Sequence, residues 1–307
     1  MKTLSIVVPV YHNAESLPIL FDRLIAVEHQ LSTLGLQVEL IFVDDGSGDA
    51  SLEELLKIKQ RRPNTKVIKL TRNFGANKAL KCGFRFVTGD CFLLLAADLQ
   101  DPPELIPELA SRWLAGSRFT ICERIGRDDP PVTRFLSATY YRLIRMLVMP
   151  EYPSGGYDIA LMDKCFLGYM QDASKGSYTH LLGYWLGFKP EVIHYHRESR
   201  THGKSRWTLR KKITTFLDVM LGFSVRPLRL MAAVGVLVAT MSFVYGIVIV
   251  AYALAGDTPV PGFASIVALL AFLLGLVIVM LGMIGEYLAR ILDEINRRPE
   301  VVIDEVY

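Results

Sequence analysis

Two stretches, Leu230 to Leu254 and Phe263 to Ile284, carry no charged side chain. Each is long enough to cross a bilayer, which takes ~20 apolar residues. Uncharged runs of this length are rare in soluble folds, so they predict two membrane-spanning helices. The linker Ala255 to Pro261 has no Lys or Arg. The segment before the first run carries Lys204, Arg206, Arg210, Lys211, Lys212, Arg226 and Arg229, and the segment after the second carries Arg290, Arg297 and Arg298. The positive-inside rule then puts both chain ends in the cytoplasm. Just upstream, Ile213, Phe216, Leu217, Met220 and Leu221 share one helical face, the pattern of a helix lying in a membrane interface. The high apolar content, 51% of 307 residues, is concentrated in this C-terminal part.

The expected layout is therefore a soluble domain at 1–207, an interfacial helix at 208–228, a two-helix membrane domain at 229–289 and a cytoplasmic tail at 290–307. Met1 to Pro9 has too short an apolar run for a signal peptide and lacks a cleavage site, which keeps the first domain in the cytosol. Cys82, Cys91, Cys122 and Cys165 form no C-x-x-C pair and read as reduced, mostly buried thiols. The net charge of +3 is modest, and no nucleic-acid partner is expected.

Within 1–207, apolar runs alternate with helical patterns. Strands are expected at Leu4–Val8, Val38–Val43, Lys66–Leu70, Phe92–Ala97, Phe119–Cys122 and, late in the domain, Val192–Tyr195, with helices between the first five. This alternation predicts an α/β fold with a mostly parallel, doubly wound sheet. The missing Gly-x-Gly-x-x-Gly turn disfavours a dinucleotide-dehydrogenase version, and the missing G-x-x-x-x-G-K-[ST] excludes a P-loop. Carboxylates stand where strands end: Asp44-Asp45 after the second, and Asp98 with Gln100 and Asp101 after the fourth. Parallel strands collect their C-terminal ends on one edge, where such sheets bind ligands. A carboxylate, an amide oxygen and a second carboxylate within four residues make a hard oxygen cluster suited to Mg2+ or Mn2+ on a diphosphate. A second carboxylate pair suits the base or ribose of a nucleotide. Asp158 follows the glycine-rich turn Ser154-Gly155-Gly156-Tyr157.

The ordered motifs V-P-V-Y, V-D-D-G-S, R-N-F-G, A-D-L-Q-D-P-P-E, G-G-Y-D and R-x-x-R-x-x-G-x-S, then two apolar spans ending in G-E-Y-L-A-R and R-R-P, resemble the family 2 glycosyltransferases. More narrowly, the chain is similar to the polyprenyl-phosphate glycosyltransferases, over nearly its whole length. That resemblance implies a GT-A-type fold. It also implies an inverting transfer of one sugar, most simply glucose from UDP-glucose, to undecaprenyl phosphate at the bacterial inner membrane. A UDP-aminoarabinose-type donor, UDP-GlcNAc, UDP-GalNAc or GDP-mannose stays open. Carried over residue by residue, Pro9, Tyr11 and Glu15 match the first nucleotide-site motif, Asp44 and Asp45 the nucleoside pair, and Arg72 and Asn73 the third motif. Asp98 and Gln100 match the metal positions, and Asp158 matches the carboxylate proposed as base or acceptor-site group. Arg200, Gly203, Ser205 and Arg206 match the mobile loop.

The family's D-x-D is reduced here, because Ala96 stands at its first aspartate. An acceptor phosphate needs cations, and guanidinium groups suit its oxygens. Arg124, Arg134, Arg200 and Arg206 are the candidates, with a hydrogen bond from Ser137. Gly235, Gly275 and Gly282 permit close helix packing, which makes a homo-oligomer an expectation. A processive polysaccharide synthase should carry a Q-x-x-R-W motif, which is absent. A catalytically weak scaffold, suggested by Ala96, is the remaining rival.

Overall fold

The computed structural model describes the chain except residues 127–130, 197–208, 256–262 and 297. It divides into two compact units, Met1–Val219 with Pro299–Tyr307, and Met220–Arg298.

The first unit opens with β1 (Lys2–Val10), α1 (Leu17–Thr33), β2 (Leu36–Asp44), α2 (Ser51–Arg61), β3 (Lys66–Leu70), α3 (Ala76–Phe84) and β4 (Cys91–Leu94). β2 and β4 flank β1, β3 flanks β2, and all four run parallel. Val7 and Val8 of β1 are both fully buried, as are Ile41 and Phe42 of β2. Strands covered on both faces lose the polar alternation of a one-sided sheet. α1 buries Leu17, Leu20, Phe21, Leu24, Val27 and Leu31, the i, i+3, i+4, i+7 stripe of an amphipathic helix. Each such leucine contributes about 1.5–3 kcal/mol relative to exposure. α2 carries Glu53 and Glu54 in its first turn and Lys59 and Arg61 in its last, which complements the helix dipole.

The chain continues through α4 (Ile106–Leu114), β5 (Phe119–Gly126), α5 (Pro131–Leu147), β6 (Tyr157–Asp163), α6 (Leu167–Gln171), α7 (Thr179–Trp185) and β7 (Glu191–His196). β6 enters antiparallel between β4 and β5, while β7 lies parallel to β5. α8 (Leu209–Phe223) begins in this unit, where Tyr140 of α5 meets Phe216 edge-on at 5.7 Å. The sheet is completed by β8 (Ile303–Val306), antiparallel to β3, giving the order β7-β5-β6-β4-β1-β2-β3-β8. Residues expected as a tail are thus an edge strand. It is fastened by Tyr307 N–H to Val67 O at 2.8 Å and Thr71 N–H to Val302 O at 3.1 Å.

Strand β4 ends earlier than its apolar run. The run continues to Ala97, but antiparallel pairing with β6 stops at Leu94–Ala160. Beyond it the backbone turns, with Leu99 at φ 60°, a conformation costly for a branched side chain.

At the opposite end of the strands, Glu39 accepts from Ser5 Oγ at 2.5 Å, Lys66 Nζ at 2.7 Å, and Thr88 N–H and Oγ1 at 2.9 Å. Burial by itself would raise its pKa, yet these donors outweigh it and hold the carboxyl below its ordinary value. A carboxyl whose folded pKa is depressed adds stability above its unfolded value, and that stability disappears as pH falls through the folded value. Glu39→Gln is therefore expected to flatten the acid limb of melting temperature against pH below about pH 5. An unchanged acid limb would remove Glu39 as its source.

The second unit contains α9 (Arg226–Leu254) and α10 (Phe263–Ile295). Their segments Arg226–Val248 and Phe272–Ile295 have mean hydropathies of 2.1 and 2.2, with none of the apolar window buried. Both helices are long and apolar enough to cross a membrane. Gly235 faces Met280 of the other helix so closely that an added Cβ would stand 3.1 Å from its Cε. At least this glycine therefore serves packing within the chain's own hairpin.

Candidate active site

Four parallel strands deliver their C-terminal ends to one edge. In register, Val10 stands beside Asp44, and Asp44 beside Lys69. Asp45 N–H bonds Val10 O at 2.8 Å. Beyond β1 the backbone reaches His12 at φ 56°. There His12 N–H donates to Ser47 Oγ at 3.1 Å, and its Nε2 accepts from Gly48 N–H at 3.4 Å. The turns after β1 and β2 are thus locked together, with Tyr11 edge-on to His12 at 4.5 Å.

The two carboxylates at the end of β2 do different work. Asp45 accepts Phe74 N–H at 2.7 Å and Gly75 N–H at 2.9 Å, one on each oxygen, which pins the turn carrying Arg72 and Asn73. Gly46 is required there. It lies at φ 67°, and a Cβ would stand 2.4 Å from the carbonyl carbon of Arg72. Asp44 is 1% exposed and accepts from Ser47 N–H at 3.3 Å. Burial raises the pKa of both, against the hydrogen bonds each accepts. Arg72 and Asn73 are exposed, Pro9 and Tyr11 are partly buried, and Glu15 is exposed.

After β4, Ser16 Oγ donates to Ala97 O at 2.7 Å. Gln100 N–H then bonds Asp98 Oδ1 at 3.3 Å, a local side-chain turn around left-handed Leu99. Asp98 and Gln100 are partly exposed, whereas Leu99 and Asp101 are buried. Asp101 thus does not join the oxygen cluster as expected. It is 1% exposed and accepts Tyr195 Oη at 2.5 Å. Among the described residues no group of three His, Cys, Asp or Glu side chains could hold a metal ion by itself. A carboxylate and an amide oxygen still fit a hard divalent cation whose other ligands are diphosphate oxygens and water, the usual arrangement for Mg2+.

Asp158 lies near the start of β6. Extending the register past Leu94–Ala160 brings it level with Ala96. Its carboxylate is gripped by Arg124, with Nη1 at 3.1 Å and Nη2 at 3.2 Å, and the same Nη2 reaches Tyr141 Oη at 3.2 Å. Arg124 was expected to offer its guanidinium to a phosphate. Instead its side chain is 4% exposed and committed to Asp158, which makes it a positioning residue. The glycine pair of the preceding turn permits this packing. A Cβ on Gly155 would lie 2.1 Å from Arg124 O, and one on Gly156 would lie 2.2 Å from Tyr141 Oη. His180 Nε2 approaches the Asp158 carbonyl at 3.3 Å, and burial lowers its pKa. Tyr178 stacks on His180 at 5.3 Å, and Tyr157 donates to the His180 carbonyl.

Ser137 lies partly buried on α5. Arg200, Arg206 and the side chain of Arg134 lie outside the described residues. Tyr141, His180 and Tyr195 had no place in the expected site. Period-two alternation in Glu191–His196 was the available signal for Tyr195, since it sets Ile193 and Tyr195 on one face and His194 and His196 on the other.

A family model described as Glycosyl transferase family 2 matches residues 5–178. The chain belongs to glycosyltransferase family 2. A second model, the GtrB C-terminal hairpin, matches residues 226–291. Among similar proteins of this family, an uncharacterized glycosyltransferase of Synechocystis sp. is 31% identical over 99% of this chain and 95% of its own length. A prophage-derived bactoprenol glucosyl transferase of Shigella flexneri is 30% identical over 98% of this chain and 97% of its own. Of solved structures, a glucosyl-3-phosphoglycerate synthase from Mycobacterium tuberculosis, in complex with Mn2+ and UDP-glucose, gives a TM-score of 0.51. It shares 16% identity over 71% of this chain and 79% of that chain. At that identity the likeness speaks for the fold, which is the GT-A type expected of this family.

Proposed function

We propose that this family 2 glycosyltransferase moves one glucose from UDP-glucose to a membrane polyprenyl phosphate, with inversion, at the cytoplasmic face of the membrane. The observation that carries the reading is the coexistence, on one chain, of the strand-edge site and an apolar hairpin. Relatives bearing the name bactoprenol glucosyl transferase align with both parts. In this reading 1–207 is the catalytic domain, 208–228 lies in the interface, 229–289 spans the membrane, and both ends are cytoplasmic. The two apolar helices support membrane association.

Asp44 is assigned to the nucleoside, since a buried carboxylate can accept from ribose hydroxyls or a base N–H. Asp45 holds the Arg72–Asn73 turn against it, and Pro9, Tyr11 and Glu15 border the same side. Asp98 and Gln100 would hold Mg2+ or Mn2+ against the diphosphate. That cation would offset the charge growing on the leaving nucleoside diphosphate. The acceptor is a phosphate monoester with a second pKa of ≈ 6, so near neutrality it is already a dianionic nucleophile. Asp158, clamped by Arg124, is therefore assigned to orienting the reacting groups rather than to taking a proton. Arg134, Arg200 and Arg206, with Ser137, are assigned to the acceptor phosphate. A homo-oligomer through the hairpin belongs to the same proposal.

Donor identity is tested by incubating membranes that contain the full chain with polyprenyl phosphate and a panel of labelled UDP-sugars and GDP-mannose. The label from UDP-glucose is expected in the lipid extract. Preferential labelling from another donor would replace glucose in this reading.

A further inference from the structure

The carboxylate of the A-D-L-Q-D motif that the site does not use is Asp101, and its partner lies outside every motif of the sequence. Asp101 is 1% exposed and Tyr195 is 6% exposed, and Tyr195 Oη donates to Asp101 Oδ1 at 2.5 Å. The bond joins two parts of the sheet that share no backbone pairing. One is the turn after β4 that displays Asp98 and Gln100. The other is β7, at the far edge, in register with β5 at Arg124–Tyr195. Tyr195 thus stands beside the residue that clamps Asp158.

The turn needs such a hold. Strand β4 ends at Leu94, Leu95 N–H still bonds Val7 O at 3.1 Å, and the turn beyond places Leu99 at φ 60°. A non-glycine residue in that region persists only when its surroundings over-determine it. From one side, Ser16 Oγ fixes Ala97 O at 2.7 Å. Leu99 itself is buried. Downstream, Arg23 holds Glu104 through Nε at 2.8 Å and Nη2 at 2.5 Å. Tyr195 supplies the hold at Asp101 itself, three residues from Asp98 and one from Gln100.

We infer that Tyr195 is a positioning residue which, through Asp101, sets the placement of Asp98 and Gln100 relative to the Arg124–Asp158 pair. The donor-side oxygen ligands and the acceptor-side carboxylate then share one buried strut. The inference rests on the proposed reading of Asp98 and Gln100 as groups facing a cation on the nucleotide diphosphate. Misplacing reacting groups by about 1 Å can cost on the order of 100-fold, so a single strut has leverage.

Tyr195→Phe tests this with little disturbance, because the ring and its packing are kept and only the hydroxyl is lost. The measurement is UDP affinity of the full-length protein in detergent, by calorimetry, with and without Mn2+. In the parent protein Mn2+ is expected to tighten UDP binding. In Tyr195→Phe, metal-free UDP affinity should stay within about twofold, while the tightening by Mn2+ should shrink by about fivefold or more, comparable to a lost hydrogen bond. Transfer should fall about tenfold in kcat, with little change in the KM for polyprenyl phosphate. Asp101→Ala should have the same signature, and the double variant should be no worse than Asp101→Ala, as expected when two residues act through one contact.

Equal loss of UDP affinity with and without Mn2+ would reduce Tyr195 to a general structural role and overturn the inference. Additive effects of the two substitutions would also overturn it. If Mn2+ does not tighten UDP binding in the parent, the reading of Asp98 and Gln100 fails first, and the inference fails with it. An unaltered Mn2+ effect in Tyr195→Phe, with a normal parent, sinks the inference alone.

Discussion

Asp98→Ala is expected to lower sugar transfer by about 10³-fold, comparable to removing one preorganised group that stabilises developing charge. Asp98 is the carboxylate proposed to face the cation, and Ala96 stands two residues before it. Its oxygens stand at the edge beside Gln100, on a turn held from both ends. In the proposed reading, loss of this carboxylate would leave only an amide oxygen for a cation on the diphosphate. The effect should fall on kcat and on the concentration of Mg2+ or Mn2+ needed. Folding should be nearly unchanged, because Asp98 is only partly buried. Near-normal turnover with an unchanged metal requirement would remove Asp98 from the centre of the site.

Glu300→Ala is expected to destabilise the first unit by about 3–5 kcal/mol, the usual cost of stranding one partner of a buried ion pair. Lys81 is 4% exposed on its side chain and Glu300 11%, and their charged atoms approach to 2.7 Å. The ammonium also donates to Ala173 O at 3.1 Å and Ser174 O at 3.0 Å. Without Glu300 the buried cation keeps only two carbonyl acceptors. The melting temperature should drop on the order of 10 °C for a domain of this size. The double variant Lys81→Met/Glu300→Leu should recover most of that loss, because replacing a whole buried pair by apolar side chains is often neutral. A single variant as stable as the parent would show that the C-terminal segment is not fastened at this point.

These two residues mark the limits of what the sequence disclosed. The place of Asp98 beyond β4 was legible, because an apolar run stops, a carboxylate follows, and Pro102-Pro103 prevents continuation. The helical spacing of Leu17, Leu20, Phe21 and Leu24 was legible for the same reason, since period and burial are both local. Glu300 and β8 were not. Ile303–Val306 is a four-residue strand with one half-buried residue, and its pairing partner β3 lies across nearly the whole chain. Neither period nor composition separates such a segment from a tail.

Long-range pairing also hid the second half of the site. Arg124 reads as one arginine among several, and only the fold brings it to Asp158 and Tyr141. As a result, a residue expected to hold a phosphate proves to hold a carboxylate. Asp45 is a similar case. Its type and position signalled the nucleotide site, yet its oxygens accept the N–H groups of Phe74 and Gly75. Leu99 gave no local sign of its backbone, because leucine is poorly suited to a left-handed conformation. The hairpin was legible throughout, since absence of charge over such lengths is itself the signal.

The central claim is transfer of one sugar to a lipid phosphate. It is tested most directly by incubating the purified full-length protein with UDP-glucose, undecaprenyl phosphate and Mg2+, then analysing the lipid by mass spectrometry and the sugar linkage by nuclear magnetic resonance. A single product carrying one β-linked glucosyl phosphate is expected, with one UDP released per product and loss of the product on chelation. Release of UDP without a glycosylated lipid, or a lipid bearing a chain of several sugars, would contradict it.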